Sequence, residues 1–289
     1  MSVRVSRRAL LAFSLAAIAC KKKSETDPMA TPKRTRRVVS LSPSTTETVC
    51  ALGARAQLVG RSRFCDYPLD VVGLPDVGGY VDPNLEAIIA LKPDLVVGAR
   101  GPAGAAIATD LEARGIATFI PRTETLAEVD AMIRGIGKEL EREAEAEAAV
   151  SAIASSNASV ERALSTTPSR SVLLLFGVVP VVAAGPNSFG AEVLAKAHGT
   201  NVVKEGGTYP VLDLEVVVRL DPDVIIDAAV AEEHGSQRIA KDAPGWRNAR
   251  AVRENRVLAM PDERVLRPGP RIGEGIELMA RALYPAMVL

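Results

Sequence analysis

Short runs of aliphatic residues alternate along the chain with segments in which apolar residues recur every three or four positions. Each short run is flanked by Gly, Pro or polar residues, which is typical of strands buried on both faces of a parallel sheet. Strands are predicted at 38–41, 57–60, 95–99, 118–120, 171–177 and 256–260. Helices are predicted at 84–91, 105–114, 188–198, around Gln237 and at 272–284. This alternation predicts an α/β fold with mostly parallel sheets covered by helices.

One unit of this alternation occurs twice. Residues 85–98, LEAIIALKPDLVVG, are repeated as residues 214–227, LEVVVRLDPDVIID, with five identical positions that include Glu86 and Glu215. The copies start 129 residues apart (214 − 85 = 129), whereas solenoids and propellers repeat about every 20 to 50 residues. The repeat therefore predicts two related lobes, each with its own central sheet.

A long helical segment separates the two copies. Residues 140–165, LEREAEAEAAVSAIASSNASVERALS, predict a helix of about 24 residues and roughly 36 Å. Its regular apolar positions, such as Val150 and Val160, disfavour a disordered acidic linker. We interpret this helix as a rigid spine and divide the chain into a first lobe at 36–124, connecting helices at 125–166 and a second lobe at 167–289.

The start of the first lobe carries helix-capping residue types. Ser42, Ser44 and Thr45 with Glu47 predict an N-cap and a capping box for a helix that ends at Gly53.

Composition narrows the possible functions. The chain has 289 residues, 47% of them hydrophobic, which is enough for two cores, and equal numbers of basic and acidic residues, 35 of each. The sequence has no basic stripe of the kind that binds nucleic acid. It also lacks a phosphate loop, a dinucleotide fingerprint and a nucleophile elbow, which are motifs typical of enzymes. Neither His198 nor His234 has a neighbour at metal-ligand spacing, so we expect no metal site and no resident cofactor.

The first 20 residues, MSVRVSRRALLAFSLAAIAC, have the pattern of an export signal, with Sec and twin-arginine export both open. The apolar stretch is too short to remain as a membrane span. Its end, AIAC, resembles a bacterial lipobox, so Cys20 is predicted to carry a lipid; the alternative is a plain cleaved signal. Residues 21–35 are polar and charged, which predicts a disordered tether.

Three other residues have simpler interpretations. Cys50 and Cys65 could be bonded in an oxidising compartment or could both be buried and free, and the sequence leaves both open. Trp246, in APGWRNARAV, is interpreted as a packing residue.

Five segments carry a resemblance to a known family. They occur in order from about residue 37 to residue 284: VVSLSPSTTETVCALG, VGRSRFCDYP, DVGGYVDPNLEAIIALKPDLVVG, LLLFG and PGPRIGEGIELMA. Together they resemble the substrate-binding proteins of bacterial ABC importers for cobalamin, ferric siderophores and haem. The opening motif and DYP at 66–68 are most similar to the cobalamin-binding members. The resemblance implies two α/β lobes joined by one long helix, with the ligand in the cleft between the lobes.

The resemblance also implies a set of site residues. Aromatic side chains at the lobe edges would hold a corrinoid, and Tyr67, Tyr80, Phe176 and Tyr209 stand at the matching positions. Flat rings suit a large, flat, neutral ligand, although the family more often has Trp at positions 80 and 209. Asp262 matches a polar ligand contact.

The loop that contains Asp262 keeps other ligands open. Arg264, Arg267 and Arg271 are natural partners for an anionic ferric siderophore or haem. The alternative is a solvated loop in which each arginine is structural.

The two repeated glutamates also have two interpretations. Glu86 and Glu215 each lie in the first turn of a predicted helix, where the macrodipole favours a carboxylate. The resemblance implies instead that one glutamate on each lobe docks onto arginines of a two-fold permease, which would explain the duplicated segment.

These observations predict a monomeric substrate-binding lipoprotein of the cell envelope that delivers cobalamin to an ABC permease and catalyses no reaction. The alternatives are a ferric siderophore or haem binding protein of the same fold and, from other classes, an envelope ligand sensor or an α/β enzyme.

Overall fold

The computed structural model describes residues 35–101, 104–229, 239, 242–260 and 262–288. The compact unit that contains both sheets begins at Arg36. Several sequence predictions lie outside the described residues, namely the export signal with Cys20, nearly all of the tether, the helix around Gln237, and His234.

The first sheet is entirely parallel. Its strands are β1 (Val38–Ser40), β2 (Leu58–Arg61), β3 (Leu95–Val97) and β4 (Ala117–Phe119). They run in the order β2-β1-β3-β4, and each neighbouring pair is parallel. Every residue of β1 and β3 is buried, which is why the sequence has continuous aliphatic runs at these central strands.

Helices cover both faces of the first sheet. The helices of this lobe are α1 (Pro43–Ala51), α2 (Leu85–Ala90) and α3 (Gly104–Glu112). Val39 and Val96 pack with Ile88 of α2 and with Ile107 of α3. The neighbouring strand residue Val38 belongs to the core on the opposite face. This alternation follows from the two-residue period of a strand.

Two helices connect the sheets, α4 (Leu126–Leu140) and α5 (Glu143–Leu164). The long helix has 22 residues, or about 33 Å, and is slightly shorter than predicted. It begins only at Glu143 because Glu141 is left-handed (φ 56), which ends α4 and turns the chain. The two helices pack closely at Gly137, where a Cβ atom would lie 2.6 Å from that of Ala146.

The second sheet is mixed. The strands are β5 (Arg170–Val178), β6 (Val181–Ala183), β7 (Gly199–Asn201), β8 (Val211–Leu212), β9 (Val224–Asp227) and β10 (Val257–Ala259). They run in the order β10-β9-β5-β6-β8, and β7 also pairs with β5. The pairs β5–β9, β5–β7 and β9–β10 are parallel, whereas β6 is antiparallel to β5 and β8.

The second lobe has its own helices and core. The helices are α6 (Phe189–Lys196), α7 (Leu214–Leu220), α8 (Arg250–Arg253) and α9 (Ile272–Leu283). Leu173, Ile225, Val217 and Trp246 share one buried cluster, which confirms Trp246 as a packing residue. Helix α9 lies against the spine α5 at Gly273, where a Cβ atom would be 3.1 Å from Ile153 Cα.

The aspartate of the repeated segment has the same role in both lobes. The Asp94 carboxylate accepts a hydrogen bond from Arg37 N at 2.8 Å, and the Asp223 carboxylate accepts from Ser171 N at 3.1 Å and Ser171 Oγ at 2.8 Å. In return, each aspartate N–H donates to the carbonyl of the same partner residue. The repeated aspartate therefore ties the start of β3 or β9 to the start of the neighbouring strand.

Both cysteines of the described chain are free. Cys65 is buried and accepts a hydrogen bond from Thr46 Oγ1 at 3.0 Å, and burial raises the pKa of the Cys50 thiol to about 11. Of the two open sequence interpretations, the structure has the unbonded one.

Among the described residues, no helix has the length and apolar character needed to span a membrane.

Candidate functional site

The carboxyl ends of parallel strands from both lobes border a cavity of about 450 Å³, a volume within the range of about 300 to 1,000 Å³ for ligand pockets. In open α/β sheets ligands bind outside these strand ends. The first lobe contributes residues that follow β1, β3 and β4, and the second contributes residues from β5, from the end of β9 and from 263–268. The lining residues are Ser42, Pro43, Ser44, Tyr80, Ala99, Thr123, Phe176, Ala228, Glu263, Leu266, Arg267 and Pro268.

Tyr80 and Phe176 supply the aromatic surface of this cavity, one from each lobe. The Tyr80 hydroxyl donates to the carbonyl of Arg100 at 3.1 Å. Gly101 makes room for the ring, because a Cβ atom there would lie 2.1 Å from Tyr80 Cζ. The loop that carries Tyr80 is held by the Arg63–Asp82 ion pair at 3.0 Å.

Tyr209 supports this aromatic surface from behind. Its ring meets Phe176 edge to face, with centroids 5.3 Å apart and an interplanar angle of 87°, which is a favourable aromatic geometry. Tyr209 is 52% exposed and does not itself line the cavity. Burial and the charge of the Glu124 carboxylate raise the pKa of both Tyr80 and Tyr209.

Hydroxyl groups and one ion pair form the polar part of the cavity wall, since Glu263 and Arg267 also line it. Ser42 and Ser44 line it from the β1–α1 junction, and Thr123 lines it from the segment after β4. The Ser42 hydroxyl bonds those of Thr45 at 2.8 Å and Ser44 at 3.2 Å. These hydroxyls offer hydrogen bonds to a polar ligand edge.

The predicted capping box at α1 is wrong. Ser42 precedes the helix, but its side chain makes no cap hydrogen bond, because its hydroxyl is engaged with Ser44 and Thr45. Glu47 does not reach back to the helix start either. It turns instead to two arginines of the second lobe, and the helix ends at Ala51.

Glu47 is the centre of a buried ion cluster between the lobes. Its side chain is only 2% exposed, and it accepts hydrogen bonds from Arg271 Nε at 2.7 Å, Arg271 Nη2 at 2.6 Å and Arg267 Nη1 at 2.6 Å. Hydrogen bonds between charged groups are stronger than neutral ones. This cluster therefore links α1 of the first lobe to the segment before α9.

A second, polar cavity of about 540 Å³ lies beside this cluster. Tyr67 belongs to this cavity and does not line the first. Its ring lies under the Arg271 guanidinium, with Cζ 3.7 Å from the ring centroid, which is a close cation–π contact. The lining residues are Asp66, Tyr67, Asp262, Glu263, Arg264, Arg267, Arg271 and Glu274.

Asp262 and Arg264 bind each other in the wall of the polar cavity. Arg264 Nη2 lies 2.6 Å from Asp262 Oδ2, and Arg264 Nη1 lies 2.8 Å from Glu274 Oε2. The Asp262 carboxylate also accepts from Arg264 N at 3.0 Å. The hydrogen bond from Arg264 lowers the pKa of the Asp262 carboxyl. Both predicted ligand contacts thus already have partners within the protein.

Glu86 and Glu215 lie apart from both cavities, in the first turn of α2 and of α7. Both side chains are exposed. Within the part of the chain that the structure describes, neither carboxylate has a hydrogen bond or an ion pair. The side-chain cap of α2 comes from Asn84, which accepts from Ala87 N at 3.0 Å.

The predicted residues therefore divide into three places. Tyr80 and Phe176 line the first cavity with Tyr209 behind them, Tyr67, Asp262 and Arg264 line the polar cavity, and the two glutamates lie on outer helices. Sequence reasoning did not find Ser42, Ser44 and Thr123 as lining residues. Their position directly after predicted strands was the available signal.

Comparison with known proteins assigns the family. Residues 38–264, more than half of the chain, match the periplasmic binding protein family, and the chain belongs to it. It is 29% identical over 260 residues to an uncharacterized ABC transporter substrate-binding lipoprotein of Bacillus subtilis, YvrC, with 88% of this chain and 81% of that protein covered. It is 31% identical over 258 residues to the cobalamin-binding protein of Halobacterium salinarum, with 86% of this chain and 69% of that protein covered.

A solved structure confirms the two-lobe fold. The periplasmic heme-binding protein RhuT from Roseiflexus sp. RS-1, in its apo form, aligns with a TM-score of 0.75 and 27% identity over 87% of this chain and 99% of that one. The protein is therefore an extracytoplasmic substrate-binding protein of the ABC-importer type, which works with a permease and is not an enzyme.

Proposed function

We propose that this protein captures a corrinoid, with cobalamin as the reference ligand, and delivers it to an ABC permease. The observation that carries the proposal is the cavity between the lobes, with Tyr80 on one side and Phe176 on the other. The similarity to the cobalamin-binding protein of Halobacterium salinarum supports the same choice.

The cavity wall suits the chemistry of a corrinoid. A corrin is broad and carries amide side chains at its edge, so it needs apolar contact for its ring and hydrogen bonds for its periphery. Tyr80 and Phe176 supply the first, and Ser42, Ser44 and Thr123 supply the second. The two charged residues of this wall, Glu263 and Arg267, are paired with each other, which suits neutral amides.

A haem or a ferric siderophore is the second candidate ligand. The fold similarity to the heme-binding protein RhuT favours it, as do the three arginines that line the polar cavity. Those arginines already bind carboxylates of the protein, however, among them Glu47, Asp262 and Glu274. An anionic chelate would have to displace these partners, and for this reason we prefer the corrinoid.

Delivery would use the two repeated glutamates. Glu86 and Glu215 are exposed on the equivalent helix of each lobe, and both carboxylates are available to a partner. A permease with two-fold symmetry would present two equivalent basic patches, and one carboxylate on each lobe would match them.

Attachment to the membrane is the last part of the proposal. The lipobox-like end of the export signal would place a lipid on Cys20, and this anchor would hold a monomer at the cell envelope near its permease. Mass spectrometry of membrane-extracted protein tests the anchor, because lipidation adds the mass of the acyl chains. A Cys20→Ala variant would lack the lipid and should be released from the membrane.

Titration calorimetry tests the ligand. The purified protein is titrated with cyanocobalamin, with haem and with a ferric hydroxamate, each also against the Tyr80→Ala variant. Submicromolar binding of cyanocobalamin alone, weakened in the variant, supports the proposal. Binding of only haem or the hydroxamate would favour the second candidate ligand over the corrinoid. If none of the three binds, the envelope-sensor alternative takes precedence.

A further inference from the structure

The polar cavity has more carboxylates than guanidiniums. Its wall contains three arginines and four acidic residues, Asp66, Asp262, Glu263 and Glu274. The buried carboxylate of Glu47 lies directly behind and binds two of the same arginines. The described charges of this wall therefore sum to a negative value, although the sequence of the loop suggested a basic site.

Three of the four acidic side chains are more exposed than any of the three arginines. The side chains of Asp66, Glu274 and Glu263 are 59%, 56% and 42% exposed. The side chains of Arg267 and Arg271 are only 14% and 22% exposed. Arg264 and Asp262 are about equally exposed, at 32% and 34%. A ligand that approaches this wall therefore meets the carboxylates of Asp66, Glu274 and Glu263 first, with Arg267 and Arg271 beneath them as internal counter-ions.

The arginines have little capacity left for a ligand. Arg267 bonds Glu47, Asp66 and Glu263. Arg271 forms a two-bond pair with Glu47 and covers the Tyr67 ring. Arg264 likewise binds both Asp262 and Glu274, as described above. Each guanidinium is thus committed to carboxylates, and a ligand anion would have to break existing ion pairs.

The segment that follows β4 has a similar balance. Glu124 follows the lining residue Thr123, and its side chain is 56% exposed. Its neighbour Arg122 binds both Glu124, at 2.6 Å, and Glu128, at 3.1 Å. Arg100, which follows the lining residue Ala99, is exposed but lines neither cavity. The two carboxylates and one guanidinium of this segment leave one net negative charge next to the lining residue Thr123.

From this distribution we infer that the cleft selects metal chelates with a net positive charge over neutral or negative chelates of the same shape. The inference rests on the proposed function and refines its ligand class. A concave wall with an excess of one sign of charge focuses its field on the opening, so it attracts a cation even though the partly exposed carboxylates are still screened by salt.

Cobalamins provide matched ligands for a test, because the upper axial ligand sets the charge and leaves the corrin unchanged. Aquocobalamin is a cation near neutral pH, cyanocobalamin is neutral and sulfitocobalamin is an anion. We expect affinity to fall in that order, by about three- to tenfold at each step in low salt. The differences should shrink at high salt, where the screening length falls to a few ångströms.

Variants assign the preference to this wall. Asp66→Asn and Glu274→Gln remove exposed carboxylates, and each should reduce the ratio of aquocobalamin to cyanocobalamin affinity by about two- to fourfold. The matched control is Glu161→Gln, an exposed carboxylate on α5 that lines neither cavity. Its ratio should equal that of the wild type.

Three outcomes would overturn the inference. Equal affinity for the three forms would contradict it and leave the proposed function intact. A visible spectrum that shows a protein side chain in place of the axial water would mean that the preference comes from coordination of the cobalt and not from the charge of the wall. If no corrinoid binds, the proposed function fails and the inference falls with it, a result distinct from equal affinities.

Discussion

The two copies of the repeated segment keep their structural residues in identical roles, whereas the residues around them differ. Asp94 and Asp223 each bond the start of a neighbouring strand. Lys92 and Asp221, at the same position of each copy, are both left-handed, with φ values of 47 and 42. The two copies therefore share a backbone geometry even where the residue is basic in one and acidic in the other.

Different residues stabilise the helix end in each copy. Arg37, just before β1, donates to the carbonyl of Leu91 at 2.8 Å. In the second lobe Arg250, from the first turn of α8, donates to the carbonyl of Asp221 at 3.1 Å. A guanidinium at the carboxyl end of a helix is favourable. In contrast, Glu86 and Glu215 are retained in both copies without a partner among the described residues, which favours an external role.

The largest effect on stability is expected at the contact between the lobes. Replacing Glu47 with alanine would leave Arg267 and Arg271 partly buried without their shared counter-ion, and should lower the free energy of unfolding by about 3 to 5 kcal/mol. Urea denaturation measures this change. Glu192 of α6 is the second-lobe comparison, because it accepts a single bond from Leu126 N at 2.7 Å.

We expect Glu192→Ala to cost less, about 1 to 3 kcal/mol. Equal losses in the two variants would contradict a dominant role for the buried ion cluster, and Glu161→Ala provides the surface control.

The next effect concerns transport. The double variant Glu86→Ala, Glu215→Ala should retain wild-type ligand affinity and lose about tenfold or more of its transport, because each lobe loses one carboxylate of a two-point contact. Reconstituted transport with the cognate permease measures it, alongside calorimetry. The transport rate of each single variant should lie between those of the wild type and the double variant. Unchanged transport in the double variant would mean that the two carboxylates serve only as helix-terminal charges.

Substitution of the repeated aspartates should have a smaller effect on stability. Asp223→Asn and Asp94→Asn each weaken the bonds to a neighbouring strand, and we expect losses of about 1 to 3 kcal/mol at neutral pH. Thermal unfolding of both variants tests whether the two copies are equivalent. A loss confined to one lobe would show that the second copy has become dispensable.

The Asp223 contribution should also depend on pH. Hydrogen bonds from Ser171 lower the pKa of the Asp223 carboxyl in the folded protein, below the unfolded value of about 3.9. The resulting stability is present above that unfolded value and is lost as pH falls through the folded pKa. Urea midpoints for wild type and Asp223→Asn should therefore converge below about pH 4. A constant difference would contradict this linkage.

The smallest effect is expected within the aromatic surface. Tyr80→Phe keeps the ring and removes only the hydrogen bond to the Arg100 carbonyl, so corrinoid affinity should change by about threefold or less. Tyr80→Ala removes the ring as well and should cost about tenfold or more. If the two variants bound equally weakly, the hydroxyl would contribute more than the ring.

The fold was largely predictable because it depends on local patterns. Aliphatic runs and the repeat predicted the α/β lobes, and each predicted strand lies within about two residues of an observed one. The antiparallel strands β6 and β8 were not predicted. Strand β6 follows β5 directly through the turn at Val179 and Pro180, so the sequence does not separate the two strands, and β8 has only two residues. The lobe boundaries at 124 and 166 stay predictions.

The site was less predictable because its groups come from distant parts of the chain. Nothing near Glu47 in the sequence indicates Arg267 or Arg271, which lie 220 and 224 positions away. Because these arginines pair with Glu47, the arginine-rich loop does not form the basic surface that its sequence suggests. The ligand contacts of Tyr67, Tyr80, Phe176, Tyr209, Asp262 and Arg264 stay predictions.

A crystal structure of the protein grown with cyanocobalamin tests the central claim most directly. The account predicts corrin density between the lobes, with the ring against Tyr80 and Phe176 and its amides within hydrogen-bonding distance of Ser42, Ser44 or Thr123. Density for the corrin elsewhere on the protein, or an empty cavity at saturating ligand, would contradict it.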